Sequence, residues 1–179
     1  DVDNLFAKIG SGAPHLCFGG HTDVVPVGDE NAWSSNPFEA TEKNGKLYGR
    51  GASDMKSAIA AFVSAVREYL ENNQVKGTIS LLITNDEEGP AINGTRKVLE
   101  EIYKNGEKID SCLVGEPTCP NNLGEMIKIG RRGSMTTTIK VSGKQGHVAY
   151  PEWTLNPINP LTSIPVSYTH LRAHETMST

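Results

Sequence analysis

The strongest hydrophobic pattern in the chain lies between residues 55 and 70. Ile59, Phe62, Val63, Val66 and Leu70 recur there at three- and four-residue steps, Ala is abundant, and neither Pro nor Gly interrupts. This spacing predicts an amphipathic helix with Ser53 or Asp54 as its N-cap. A second periodic segment, residues 94–104, predicts a helix with Val98, Leu99 and Ile102 inward. Residues 78–84 are rich in β-branched side chains and too short for a helix, so they read as a strand. Shorter apolar runs at 15–19 and 111–114 read as buried strands, and residues 1–9 alternate as a strand that ends in the turn Gly10-Ser11-Gly12. Residues 29–44 are polar, contain Pro37 and read as a loop, followed by the short apolar segment 46–48.

Strands alternating with helices predict an α/β domain built on a mostly parallel mixed sheet flanked by helices. After Glu125 the pattern changes. Residues 126–129 and 135–141 read as strands joined by Gly130-Arg-Arg-Gly133, so a second sheet is expected to begin there. Residues 151–165 hold four prolines. The tail 167–179 shares no pattern with the rest and resembles a translated cloning scar, so it is read as non-native.

Composition narrows the function classes. A net charge of -4 without a basic stripe argues against nucleic acid. No apolar run is long enough to span a bilayer. Cys17, Cys112 and Cys119 are odd in number and lack CxxC spacing, which points away from a disulfide framework and towards a reducing, cytoplasmic compartment.

Four short motifs carry the candidate chemistry: Gly20-His21-Thr22-Asp23, Ala52-Ser53-Asp54-Met55, Asp86-Glu87-Glu88-Gly89 and Gly115-Glu116-Pro117. Three lie just beyond expected strands and one opens the main helix. Taken singly, each has an ordinary reading: a surface histidine, a helix cap, a solvated turn. Together they place an imidazole and several carboxylates at strand ends, where α/β sheets collect ligands. Imidazole and carboxylate are standard ligands for Zn2+. His21, Asp54, Glu88 and Glu116 are therefore candidate ligands, with Asp54 bridging two ions. Asp23 is placed to accept the free imidazole N–H of His21. Glu87 and Glu88 are adjacent and point in different directions, so one can bind metal while the other moves protons.

In this order the motifs resemble the M20 family of dinuclear-zinc peptidases and deacylases. The resemblance runs from about residue 1 to about residue 160. Three stretches, Asp86-Glu-Glu-Gly-Pro-Ala91, Gly130-Arg-Arg-Gly-Ser134 and Gly143-Lys-Gln-Gly-His-Val-Ala-Tyr-Pro151, are most similar to its desuccinylase branch. The resemblance implies two Zn2+, with Co2+ as a substitute: His21 and Glu116 on one ion, Glu88 on the other, Asp54 between them. It implies Glu87 as general base and acid, Asp23 as the residue orienting His21, and Arg131 and Ser134 as contacts for a substrate carboxylate. His147 matches a histidine that reaches a partner subunit's site in a homodimer. The implied reaction is hydrolysis of an N-succinyl amide of diaminopimelate, a step in lysine and cell-wall precursor synthesis. Residues 1–127 would form part of a zinc-peptidase-like catalytic domain, and 128–166 the start of a smaller α+β dimerisation (lid) domain. Family members add a further metal-binding histidine near their C-terminus. His170 and His174 lack its context, so weak binding of the second metal and little activity are expected of this chain. Acetylornithine deacetylase- or aminoacylase-like activity is the near alternative, and a non-catalytic metal-binding or dimerisation module the distant one. A serine or cysteine hydrolase is disfavoured, because neither a G-x-S-x-G elbow nor a nucleophilic cysteine context is found.

Overall fold

Residues 79–83 are apolar at nearly every position and must be covered on both faces, which places them at the centre of a sheet. The computed structural model describes residues 2–130 and 138–164. Its central strand is β5 (Gly77–Thr84). On one side β5 pairs with the antiparallel β1 (Leu5–Ser11), and on the other with the parallel β2 (His15–His21). The short β6 (Ser111–Val114) lies parallel to β2, so the order is β1-β5-β2-β6. This is the mostly parallel mixed sheet that the alternating pattern predicts.

Two helices flank it. On α1 (Ser57–Asn72), Phe62 stacks on Phe18 of β2 with centroids 4.4 Å apart. Met55, just before the helix, is completely buried. From α2 (Thr95–Lys104), Ile102 is buried and Val98 and Leu99 are half-buried, as their spacing predicts. The other face of β2 and β5 buries a polar row: His15, Thr78, Ser80 and Thr84. Buried polar groups need partners, and here they have them. His15 Nδ1 lies 2.8 Å from the Lys108 carbonyl and its Nε2 2.8 Å from Ser80 Oγ, while Thr78 Oγ1 donates to the Gly12 carbonyl.

The structure differs from the sequence reading in five places. Neither Ser53 nor Asp54 caps α1. The helix starts at Ser57, behind an irregular turn, Ala52–Lys56, in which Asp54 is extended (φ -123, ψ 100). The first strand is Leu5–Ser11 rather than 1–9, because it follows its ladder with β5. Strand β6 forms at the expected residues but is exposed rather than buried, being the sheet's edge. Part of the expected loop is a hairpin of β3 (Thr41–Lys43) and β4 (Lys46–Tyr48). It turns at Asn44-Gly45, both in the left-handed region, a turn that Asn-Gly favours. Residues 126–129 and 138–141 form no strand, since no neighbouring strand pairs with them among the described residues. Residues 135–137 and 167–179 lie outside the described residues.

The chain divides into two compact units, Asp1–Lys128 and Ile129–Thr179. The sheet belongs to the first. In the second, Lys144 and Leu155 form an isolated antiparallel bridge, and Tyr150 stacks on Trp153 with centroids 5.5 Å apart.

Candidate metal centre

Parallel strands end at one edge, and the register brings the chemistry level. Gly19 pairs with Val114, and His21 with Thr84. Two residues beyond Val114, Glu116 therefore stands beside His21, while β5 runs directly into Asp86, Glu87 and Glu88. Helix α1 closes on this edge because two positions have no side chain. A Cβ on Gly115 would lie 2.6 Å from the Phe18 ring and 2.8 Å from Ala58 Cβ, and one on Gly20 would meet Ile59, Met55 and Phe18 at 3.0–3.2 Å. That close packing carries the Ala52–Lys56 turn, and Asp54 with it, over the end of β2. The cap misreading has its counterpart here: the extended backbone turns the Asp54 carboxylate towards His21.

His21 is 1% exposed and lies at the centre of the cluster. Its Nδ1 is 3.0 Å from the Asp23 main-chain carbonyl, which fixes the proton on that nitrogen. Its Nε2 faces Asp54 Oδ1 at 3.1 Å, Glu116 Oε1 at 3.5 Å and Glu87 Oε2 at 4.0 Å. Two overlapping groups have ligand atoms that all lie within 4.8 Å of one another: His21, Glu87 and Glu116, and His21, Asp54 and Glu88. Five of the six candidate residues of the first unit, all but Asp23, thus converge as possible ligands. Among the described residues, neither lysine nor arginine makes an ion pair with the four carboxylates. A neutral Nε2 would present a lone pair to three acceptors. The arrangement calls for a positive charge in their midst, either a proton or a metal ion. The donor set, one imidazole and four carboxylates, fits divalent cations of the zinc class.

Asp23 meets the imidazole N–H mainly through its main chain. The imidazole contacts its carbonyl more closely than its carboxylate, whose Oδ1 lies 3.5 Å from Nδ1 and accepts no hydrogen bond among the described residues. Its Oδ2 instead accepts from the main-chain N–H groups of both Glu87 and Glu88, at 2.9 Å each. His147 lies in the second unit, exposed, with Nδ1 accepting from the Ala149 N–H. Arg131 and Ser134 lie outside the described residues.

The electrostatics reflect the crowding. Burial disfavours a charged His21, but the Asp23 carbonyl and then Glu116, Glu87 and Asp54 outweigh it and raise the imidazole above its ordinary 6.5. Burial and the neighbouring Asp54 hold Glu116 above its ordinary 4.5, partly offset by His21. Both groups bind protons more tightly folded than unfolded. Each therefore contributes stability below its unfolded value and loses it as pH rises through its folded one. In a chelator, the melting temperature of the metal-free chain is expected to fall as pH is raised from about 5 to about 8. Saturating zinc should abolish that fall, because metal replaces the protons. A chelated chain that grows more stable across this range would contradict the crowding described.

One imidazole and four carboxylates at the carboxyl edge of a mixed α/β sheet make a candidate centre for divalent cations. The model of Peptidase family M20/M25/M40 matches residues 17–175, and the chain belongs to that family. It is 61% identical over 158 residues to a succinyl-diaminopimelate desuccinylase of Parvibaculum lavamentivorans, a match covering 88% of this chain and 40% of that protein. It is 59% identical over 158 residues to the desuccinylase of Rhodospirillum centenum, covering 88% and 41%. The chain thus spans about two fifths of the length of these relatives. Among solved structures it is similar to an M20 family metallo-carboxypeptidase from Sulfolobus solfataricus (TM-score 0.55, 30% identity, 63% of this chain and 25% of that one). It is equally similar to human carnosine dipeptidase 1 (TM-score 0.55, 29% identity, 64% and 25%).

Proposed function

We propose that the protein hydrolyses the amide of N-succinyl-L,L-2,6-diaminopimelate to succinate and L,L-diaminopimelate. The observation carrying the reaction class is the His21 Nε2 facing three carboxylates, with no basic side chain among the described residues to balance them. The substrate rests on the 58–61% identity to desuccinylases. His21 and Glu116 would hold one ion and Glu88 the other, with Asp54 between. When bound, zinc-class cations supply Lewis acidity and make water a nucleophile at neutral pH.

The chain's own residues do the rest. Glu87 takes a proton from the attacking water as its oxygen bonds to the acyl carbon, and returns it to the nitrogen as the amide bond breaks. Asp23 holds the Glu87 and Glu88 main chain and, through its carbonyl, sets the imidazole tautomer. Arg131 and Ser134 would receive the succinyl or diaminopimelate carboxylate, for which a guanidinium fork is suited. His147 would serve a partner subunit's site in a homodimer. Cytoplasmic lysine and cell-wall precursor synthesis is the setting this reading implies. All three cysteines are free, and among the described residues no helix is long and apolar enough to cross a membrane.

The test is a comparison of kcat/KM on N-succinyl-diaminopimelate and N-acetylornithine, with the zinc-loaded full-length protein. The succinylated substrate is expected to lead by at least about 100-fold, the discrimination of a site built for an extra charged group. Preference for the acetylated one would transfer the protein to the deacetylase branch and leave the metal site standing.

A further inference from the structure

Four carboxylates gathered round one imidazole repel one another, and the cheapest relief is for a loop to swing out. The loop of residues 85–93 carries two of them, Glu87 and Glu88, so what holds it in place decides whether the site exists before a metal arrives. Asp86 is 7% exposed and has no ion-pair partner among the described residues. Both its oxygens are engaged by main chain further along the same loop: Oδ1 accepts from the Ala91 N–H at 3.2 Å and Oδ2 from the Asn93 N–H at 2.7 Å. Its own N–H donates to Thr84 Oγ1 at 3.1 Å. Ala91 is held in the left-handed region, with φ 54. Where the loop returns, Gly94 packs so closely that a Cβ would collide with Thr84 Oγ1 and the Asp86 carbonyl.

A second clamp acts from outside. Asn4 takes the Asn85 N–H on Oδ1 at 3.4 Å and gives its Nδ2–H to the Asn93 carbonyl at 2.9 Å, joining the two ends of the loop. The Glu87 and Glu88 amides are meanwhile tied to Asp23. The loop is thus fixed at its start, its acidic pair and its end. A buried carboxylate without a cation is costly unless amides satisfy it, and an asparagine could not replace it, since its NH2 would face an N–H donor.

We propose that Asp86 is a positioning residue: by closing the 85–93 loop on itself it holds the Glu87 and Glu88 carboxylates in the metal cluster against their mutual repulsion, with Asn4 reinforcing the closure. The proposal rests on the metal-site reading above. Its test compares the full chain with Asp86→Asn and Asn4→Ala, by amide hydrogen exchange, zinc calorimetry and melting temperature. Asp86→Asn leaves one of the two loop amides, of Ala91 or Asn93, without its acceptor. Exchange in 87–94 is expected to rise about 10- to 100-fold while the sheet strands stay protected. Zinc affinity should fall by about 10- to 100-fold, the range for groups that orient ligands. Asn4→Ala acts at an exposed residue, and should move both readouts in the same direction by less. Unchanged loop exchange, loss of protection across the whole sheet, or zinc affinity equal to the parent chain's would each overturn the positioning role. A parent chain that fails to bind zinc would instead remove the metal reading on which it rests.

Discussion

Replacing Glu87 by Gln is expected to lower hydrolysis of the succinylated substrate by about 10²–10⁴-fold, or roughly 3–5 kcal/mol of barrier, while leaving zinc binding within a few-fold of the parent. The side chain keeps its shape and loses its basicity. The Glu87 backbone is tied to Asp23 Oδ2, so the variant amide should occupy the same place. In the proposed assignment proton transfer would need that carboxylate, whereas His21, Asp54, Glu88 and Glu116 would hold the cations without it. The geometry makes this a discriminating experiment, because Glu87 also falls into a group with His21 and Glu116 whose ligand atoms lie within 4.8 Å of one another. If Glu87 is a ligand rather than the base, zinc affinity should collapse along with turnover. Single-turnover kinetics beside calorimetry on the full-length protein separates the two. Activity surviving the substitution would remove the assigned base altogether.

The parts of this site that were legible in the sequence are those set by local chemistry. His21, Glu87, Glu88 and Glu116 follow strands that announce themselves by β-branched or apolar runs, and the topology of parallel strands does the gathering. What was not legible depends on backbone direction and on distant partners. Asp54 before an alanine-rich helix looks like a cap, and nothing local reveals that the chain stays extended there, pressed against the sheet through Gly20 and Gly115. The double duty of Asp23, with its carbonyl on the imidazole and its carboxylate on two amides 64 and 65 residues away, is a product of register and could not be read from spacing. Strand β6 reads as buried because Cys112, Leu113 and Val114 are apolar, but its position at the sheet edge is a property of the whole topology. The Asn44-Gly45 turn, by contrast, is a local signal of the β3–β4 hairpin. Residues 126–129 and 138–141 show the limit of alternation as evidence: a strand exists only where a neighbour completes its ladder, and none does among the described residues.

Removing the Asp54 carboxylate is expected to have the largest effect on metal. In Asp54→Ala, zinc affinity should fall by more than about 100-fold, beyond the range seen when only ligand-orienting groups are lost. Asp54 is the nearest carboxylate to His21 Nε2, at 3.1 Å, and belongs with His21 and Glu88 to one of the two overlapping ligand groups. In the proposed assignment its loss would leave fewer anionic donors for bound cations. His21 also loses one of the charges that raise its proton affinity, so the fall in metal-free stability with pH should become shallower. A compensating gain is expected: with one carboxylate fewer in a crowded cluster, the chelated variant should melt no lower than the parent at neutral pH. That pairing, with metal binding lost and metal-free stability kept, is what a ligand gives. A helix cap would give the reverse, costing about 0.5–2 kcal/mol of stability with little change in zinc. Thermal melts in chelator and in zinc, run side by side on the two chains, decide between the roles.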